Sequence, residues 1–374
     1  MFPSAISPAY AGDQPTLICF SHLRWDFVYQ RPQHLMSRYA KEFNVQYVEE
    51  PIYTDEADSW LEVRHVAEGI QVLVPQLGID AKAHPEQEQR RLLDQHLGLG
   101  TGSNIILWYY TPMSLTFSEH LHARLVVYDC MDELSAFRGA PPRLVELERR
   151  LMERADIVFT GGHSLYEAKR LLHGNAHAFP SSVDVAHFAR ARGQLPDPID
   201  QADIPRLRLG FYGVLDERLD IVLIDELAAL RPDWHLVLVG PVVKIDSDSL
   251  PRGPNIHYLG AKTYDELPHY LAGWDVALMP FALNEATRFI SPTKTPEYLA
   301  GGRAVVSTLI SDVVRSYGGS SMVSIARTAH DFTDAIQQAL QKAGDRTNLL
   351  HEADLILDGM SWDRTWHQMR RLME

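Results

Sequence analysis

Short apolar runs alternate with helix-patterned stretches in two successive series, and no other feature of this chain restricts its fold as much. The first series places apolar runs at 16–20, 45–49, 70–75, 104–110, 125–129 and 156–160, with helix patterns at 32–43, 85–97, 142–155 and 164–173. The second places them at 209–214, 235–240, 256–259, 275–281, 303–308 and 322–325, with helices at 220–230, 264–272 and 329–343 and more helix beyond. Runs that are apolar throughout suit parallel strands covered on both faces. The expectation is an α/β protein with two Rossmann-like domains, 1–188 and 205–358, joined by a linker over 189–205 that carries Pro, Gly and Asp. A chain of 374 residues is long enough for two cores. Residues 1–15 read as a loose tail. The last segment, 361–374, is amphipathic, with Trp362, Trp366, Met369 and Met373 on one helical face.

Composition removes several classes of function. A formal net charge of −14 gives the whole chain no electrostatic attraction for nucleic acid or anionic lipid. Cys19 and Cys130, the only cysteines, sit in separate apolar runs, a usage that fits a reducing compartment and no disulfide. No apolar run reaches membrane-spanning length and residues 1–15 lack a secretion signal, so the expected location is cytoplasmic, with peripheral membrane contact left open. No metal is expected, because no His/Asp cluster has ligand spacing. Asp246-Ser-Asp248 has the form of a metal-binding Asp-x-Asp, but it lies in a polar loop and reads as solvation. No cofactor motif such as a phosphate-loop Gly-Lys-Ser/Thr occurs.

The stretch from Glu285 to Gly302 concentrates the chemistry. It joins the apolar run at 275–281 to the run at 303–308 and predicts a helix closed by Gly301-Gly302. Ser291 can cap that helix with Pro292 as its first residue, or Thr295 can cap it with Pro296 first. A helix start offers N–H groups and a positive dipole end to an anion, and Arg288 and Lys294 add cations. Glu297, three residues after Lys294, can share its face and accept hydrogen bonds from two adjacent hydroxyls, as on a ribose. A sugar nucleotide fits this set; so does a capped surface helix with a solvated Lys–Glu pair.

A resemblance decides between these. Ser291-Pro-Thr-Lys-Thr-Pro-Glu-Tyr-Leu-Ala-Gly-Gly-Arg-Ala-Val-Val306 resembles the donor-site signature of family-4-type glycosyltransferases. The resemblance implies the GT-B fold, two Rossmann-like domains facing a cleft with the C-terminal helix crossing back to the first. It also implies a nucleoside diphosphate sugar bound by Lys294 and Glu297 with Ser291, Thr293 and Arg288 beside them. His177-Ala-Phe-Pro-Ser-Ser-Val-Asp184 resembles the family's interdomain segment, with Ser181-Ser182 in place of Asn-Gly. Phe211-Tyr-Gly-Val-Leu-Asp-Glu-Arg-Leu-Asp220 resembles the loop that opens the donor domain, but Val214 stands where an Arg is usual. Arg218 then either supplies the diphosphate cation or pairs with Asp216 or Asp220. Phe289 replaces the first glutamate of the usual pair, and Gly240-Pro241 matches the family's Val-Gly-Pro element near the nucleotide. Trp25-Asp-Phe-Val-Tyr-Gln-Arg-Pro-Gln-His-Leu35 is similar to a teichuronic-acid and exopolysaccharide subgroup.

Ligands of open α/β sheets gather at the carboxyl ends of strands. The loop after the first run carries His22, Arg24, Trp25 and Asp26, a set suited to sugar stacking and hydroxyl recognition, or to packing of Trp25 under a solvated loop. The run at 125–129 ends in Asp129 and is followed by Asp132 and Glu133, where repulsion between acids can raise a pKa. Together these features imply a metal-independent glycosyltransferase moving a sugar from a nucleoside diphosphate sugar, a UDP-sugar being favoured, to an acceptor glycan or lipid-linked glycan in envelope or extracellular polysaccharide synthesis. Asp132 and Asp26 are the candidate catalytic acids, and His22, Arg24, Trp25 and Asp129 the candidate sugar contacts. A nucleotide-sugar epimerase of the same architecture and a non-catalytic partner subunit are the alternatives.

Overall fold

The computed structural model describes residues 14–98 and 104–374, so most of the expected N-terminal tail lies outside the described residues. Two sheets form. The first has nine strands: β1 (Thr16–Phe20), β2 (Asn44–Val48), β3 (Ile52–Tyr53), β4 (Trp60–Ala67), β5 (Ile70–Leu77), β6 (Ile105–Tyr109), β7 (Leu125–Cys130), β8 (Ile157–Thr160) and β9 (Ala176–Ala178). The second has six: β10 (Arg208–Tyr212), β11 (His235–Val239), β12 (Ile256–Tyr258), β13 (Val276–Met279), β14 (Val305–Ser307) and β15 (Val323–Ile325).

Spatial order matters more here than strand count. The second sheet runs β12-β11-β10-β13-β14-β15, and every pair is parallel. The first runs β5-β2-β1-β6-β7-β8-β9 across its parallel part. Both reverse direction once, between β1 and β6 and between β10 and β13. That reversal opens a crevice at the carboxyl ends of the central strands, where a doubly wound sheet takes its ligand. The two crevices face each other.

One departure from the sequence reading lies at the edge of the first sheet. Strand β4 pairs antiparallel with β5, and the two-residue β3 extends the same sheet. Trp-Leu-Glu-Val-Arg-His-Val-Ala mixes apolar and polar residues, and none of its residues is fully buried. An edge strand with one face toward solvent need not carry an unbroken apolar run. Its partners prove decisive for the neighbouring loop.

The C-terminal helix, Trp362–Leu372, crosses back to the first domain. Trp362, Trp366, Met369 and Met373 enter the core formed by Leu35, Met36, Tyr39 and Trp108. Fully burying a large apolar side chain stabilises by roughly 1.5–3 kcal/mol, so this helix contributes substantially to the first domain's core. Ion pairs Arg38–Asp363 and Arg370–Glu42, each at 2.9 Å, fix its register. Ring stacking of His34 on Trp362, with centroids 4.6 Å apart, closes the seam. No helix among the described residues is long and apolar enough to cross a membrane.

Candidate active site

A cleft of about 620 Å³ lies between the two sheets, within the size range of small-molecule sites. On the second-domain side its wall is built from the loops after β10 and β11 and from the helix Lys294–Ala300, which follows β13. Gly213 and Gly240 have positive φ values of 144° and 147°, backbone that other residues rarely adopt. A Cβ on Gly213 would lie 2.2 Å from Lys294 Cε, and one on Gly240 would lie 1.8 Å from the Gly213 carbonyl oxygen. Both loops thus fold tightly beneath the Lys294 side chain because neither glycine carries one.

The helix starts in neither expected register. Thr293, already helical at φ −63°, precedes Lys294 and gives no side-chain cap. Pro296, third in the helix, falls where intrahelical bonding does not require an N–H. It also removes one donor from the first turn, so side-chain cations matter more here than the amides. Lys294 lines the cleft and has no ion-pair partner within 4.0 Å among the described residues. Burial lowers its pKa, Glu297 opposing and Arg218 adding to the effect. Glu297 is 9% exposed, and burial pushes its carboxyl up against the pull of Lys294. Beside it the Tyr212 hydroxyl is buried with no hydrogen-bond partner among the described residues, although Tyr212 lines the cleft.

Arg218 pairs with Asp216, as one of its two expected roles has it. Its guanidinium grips Asp216 with Nε and Nη2, the shortest contact being 2.7 Å, and it also lines the cleft. Arg288 does not reach it: the side chain is 63% exposed and lies 3.5 Å from Glu285. A short 3₁₀ turn, Glu285–Thr287, sends it outward. Ser291 also leaves the set, because it packs where a Cβ on Gly162 would meet it at 2.7 Å. Thr293 and Gly240 stay in the wall. Asp246 accepts a bond from the Asp248 N–H in an exposed turn, away from the cleft. No group of three or more metal-ligating side chains occurs among the described residues.

Across the cleft, Asp132 and His22 are the titratable candidates that line it. Burial raises Asp132 to about 6, while Arg218 and Lys294 of the opposite domain, with Arg31, pull it down and Asp216 pushes it up. His22 is lowered to about 4, first by burial and then by Lys244, so it is neutral at pH 7. The other first-domain candidates have structural tasks. Asp129 is 0% exposed and holds Arg31 through Nε and Nη2 at 2.8–3.1 Å, too deep to meet a sugar. Breaking such a buried pair costs about 3–5 kcal/mol, which is reason enough for its presence. Arg24 binds Glu49 at 3.0 Å and the Glu50 carbonyl at 2.5 Å, clamping the loop. Trp25 packs edge-on to Tyr47, centroids 5.1 Å apart. Asp26, 62% exposed, pairs with Arg64 of β4 and points away from the cleft.

Several wall residues carried no role in the sequence reading. Phe137 and Arg138 sit on a first-domain loop that reaches across the cleft: the Arg138 N–H donates to Glu217, and Arg218 lies 5.5 Å from the Phe137 ring centroid. Lys244 approaches the same ring at 5.1 Å. It follows Gly240-Pro241 at a strand end, a position that could have marked it. Tyr264 packs 4.7 Å from Tyr29 of the first domain. This pair closes one end of the cleft.

Residues 206–342, most of the second domain, match the family described as Glycosyl transferases group 1. The second domain is similar to that family, and the chain as a whole has the GT-B fold. A putative teichuronic acid biosynthesis glycosyltransferase, TuaH of Bacillus subtilis (strain 168), is 29% identical over 269 residues, a match spanning 66% of this chain and 66% of that relative. Among solved structures, sucrose-phosphate synthase of Thermosynechococcus elongatus superposes with a TM-score of 0.71 at 14% identity, covering 96% of this chain and 98% of that one. Anabaena HepE in complex with UDP and glucose gives a TM-score of 0.68 at 13% identity, covering 96% and 99%. At such identities these two show the fold alone. The family match falls on the domain that carries Lys294 and Glu297.

Proposed function

We propose that the protein transfers a sugar from a nucleoside diphosphate sugar to an acceptor glycan during synthesis of an envelope or extracellular polysaccharide. The observation that carries this reading is the opposition of Lys294 and Glu297 on one wall to Asp132 on the other. Glu297 receives the ribose hydroxyls, and Lys294, with Arg218 behind it, receives the diphosphate. The sugar then projects toward Asp132 and His22. The bond from the anomeric carbon to the diphosphate breaks, and a bond from that carbon to an acceptor oxygen forms. Nucleoside diphosphate leaves, its new charge stabilised by the two cations. Asp132 as carboxylate either takes the acceptor's proton, or stabilises oxocarbenium-like charge while the departing diphosphate oxygen takes that proton; in both cases the ionised form works. A UDP-sugar is the proposed donor and a free or lipid-linked glycan the proposed acceptor. The relative's name supports the polysaccharide setting.

Nucleotide release measured over a panel of nucleotide sugars, with and without acceptor glycans, tests the reading. Release that depends on acceptor supports it; no release from any donor would overturn it. Glu297→Ala should weaken even bare uridine at least about tenfold, since a hydrogen bond to a charged group is worth roughly 1.5–3 kcal/mol. Equal uridine affinity in calorimetry would remove Glu297 from the ribose site. Leaving-group charge meets Lys294 and Arg218, so turnover should survive EDTA. Activity lost on chelation and restored by magnesium or manganese would contradict that.

A further inference from the structure

Helix His163–Lys169 of the first domain begins without a cap of its own: Gly162 stands at the cap position, with no side chain to offer. The cap comes from the other domain. Asp312, on the second-domain helix Ser311–Tyr317, accepts the His163 N–H through Oδ2 at 2.8 Å and the Ser164 N–H through Oδ1 at 2.9 Å. Asp312 is 3% exposed, so its carboxylate is held in the domain contact. Gly162 is extended at φ −167°, a conformation any residue adopts, so space rather than strain requires glycine here. A Cβ at that position would lie 2.2 Å from Asp312 Oδ2. The fit between domains is complete only without one.

The far end of the same helix is tied to the loop that follows β7. Lys169 Nζ lies 2.7 Å from Glu133 and 2.7 Å from Glu148, in a site where the lysine is almost wholly buried. Glu133 is the residue next to Asp132. One short helix therefore joins the domain contact to the loop that carries the proposed catalytic acid. Pulling the domains apart would strip two partly buried N–H groups of their acceptor, a cost that holds the domains in register.

We propose that Asp312 is a positioning residue for sugar transfer: by capping helix His163–Lys169 from the donor domain, it sets the distance at which the Asp132 loop faces Lys294. The proposal rests on the assignment of Asp132 and Lys294 to opposite sides of the reaction. Neither Asp312 nor Gly162 lines the cleft.

Two variants on opposite domains test it. Asp312→Asn removes the charge and one of the two acceptors, and Gly162→Ala wedges the contact open with every polar group retained. Each should lower kcat for transfer at least about tenfold, because a misplacement of 1 Å can cost on the order of 10²-fold. UDP affinity should stay within about twofold of wild type, since the nucleotide wall belongs to one domain, and Tm should fall only modestly, as for the loss of one helix cap. Amides 163 and 164 should exchange with deuterium faster in both variants while those of β8 do not. The double variant should be no worse than the poorer single one, as expected for two changes to one contact. Unchanged kcat in both variants, or amides that stay as protected as in wild type, would overturn the proposal. Exchange needs no turnover, so failure of the transferase reading itself appears separately, as wild-type protein that neither binds UDP nor releases nucleotide.

Discussion

Asp132→Asn is expected to lower the transfer rate by about 10²–10⁴-fold, the usual worth of a positioned acid–base group. Shape is kept and charge is lost, so nucleotide affinity and Tm should hold. The carboxyl is raised to about 6 by burial, with Arg218 and Lys294 preventing a further rise. Its working form is the carboxylate, so wild-type kcat/KM should rise with pH through about 6 and level off above. In Asp132→Asn that limb should vanish. Asp26→Asn serves as the comparison: its side chain is solvated and paired with Arg64, and transfer should proceed at the wild-type rate. A full rate in Asp132→Asn at saturating donor and acceptor would clear this residue of a catalytic role.

Lys294→Ala is expected to have the largest effect on donor binding. The amine lines the cleft without an ion-pair partner among the described residues, whereas Arg218 divides its charge between the cleft and Asp216. A lost charge-assisted bond of roughly 1.5–3 kcal/mol weakens UDP and UDP-sugar at least about tenfold. Uridine, with no phosphate, should be nearly unaffected. Burial has already lowered the amine's pKa, so nucleoside diphosphate affinity should fall as pH rises toward the alkaline range and the amine loses its proton. Uridine affinity falling in step with UDP affinity would show that the variant damages the wall rather than a phosphate contact.

How much of this was legible in the sequence depended on whether a residue's partners were local. Lys294 and Glu297 share a helix face through spacing alone, and both reach the cleft. Asp132 follows the end of β7, where strand order makes a ligand crevice. Asp129 has equally suggestive neighbours, but Arg31, distant in sequence, binds and buries it. Arg24, Trp25 and Asp26 read as sugar contacts by their residue types and their place after the first strand. Glu49, Tyr47 and Arg64 occupy them instead, and Arg64 belongs to the edge strand β4, which shows no apolar run. Arg288 misleads for a smaller reason, a single turn that rotates it to solvent. Asp312 and Gly162 carried no signal, because their meaning exists only where the domains touch.

The central claim divides the reaction between two walls, with the diphosphate on Lys294 and the chemistry on Asp132. Calorimetric titration of UDP into wild type, Lys294→Ala and Asp132→Asn tests that division most directly, since it needs neither the sugar nor the acceptor to be known. The account predicts affinity reduced at least about tenfold in Lys294→Ala and unchanged in Asp132→Asn. Equal affinity in all three proteins, or loss confined to Asp132→Asn, would contradict it.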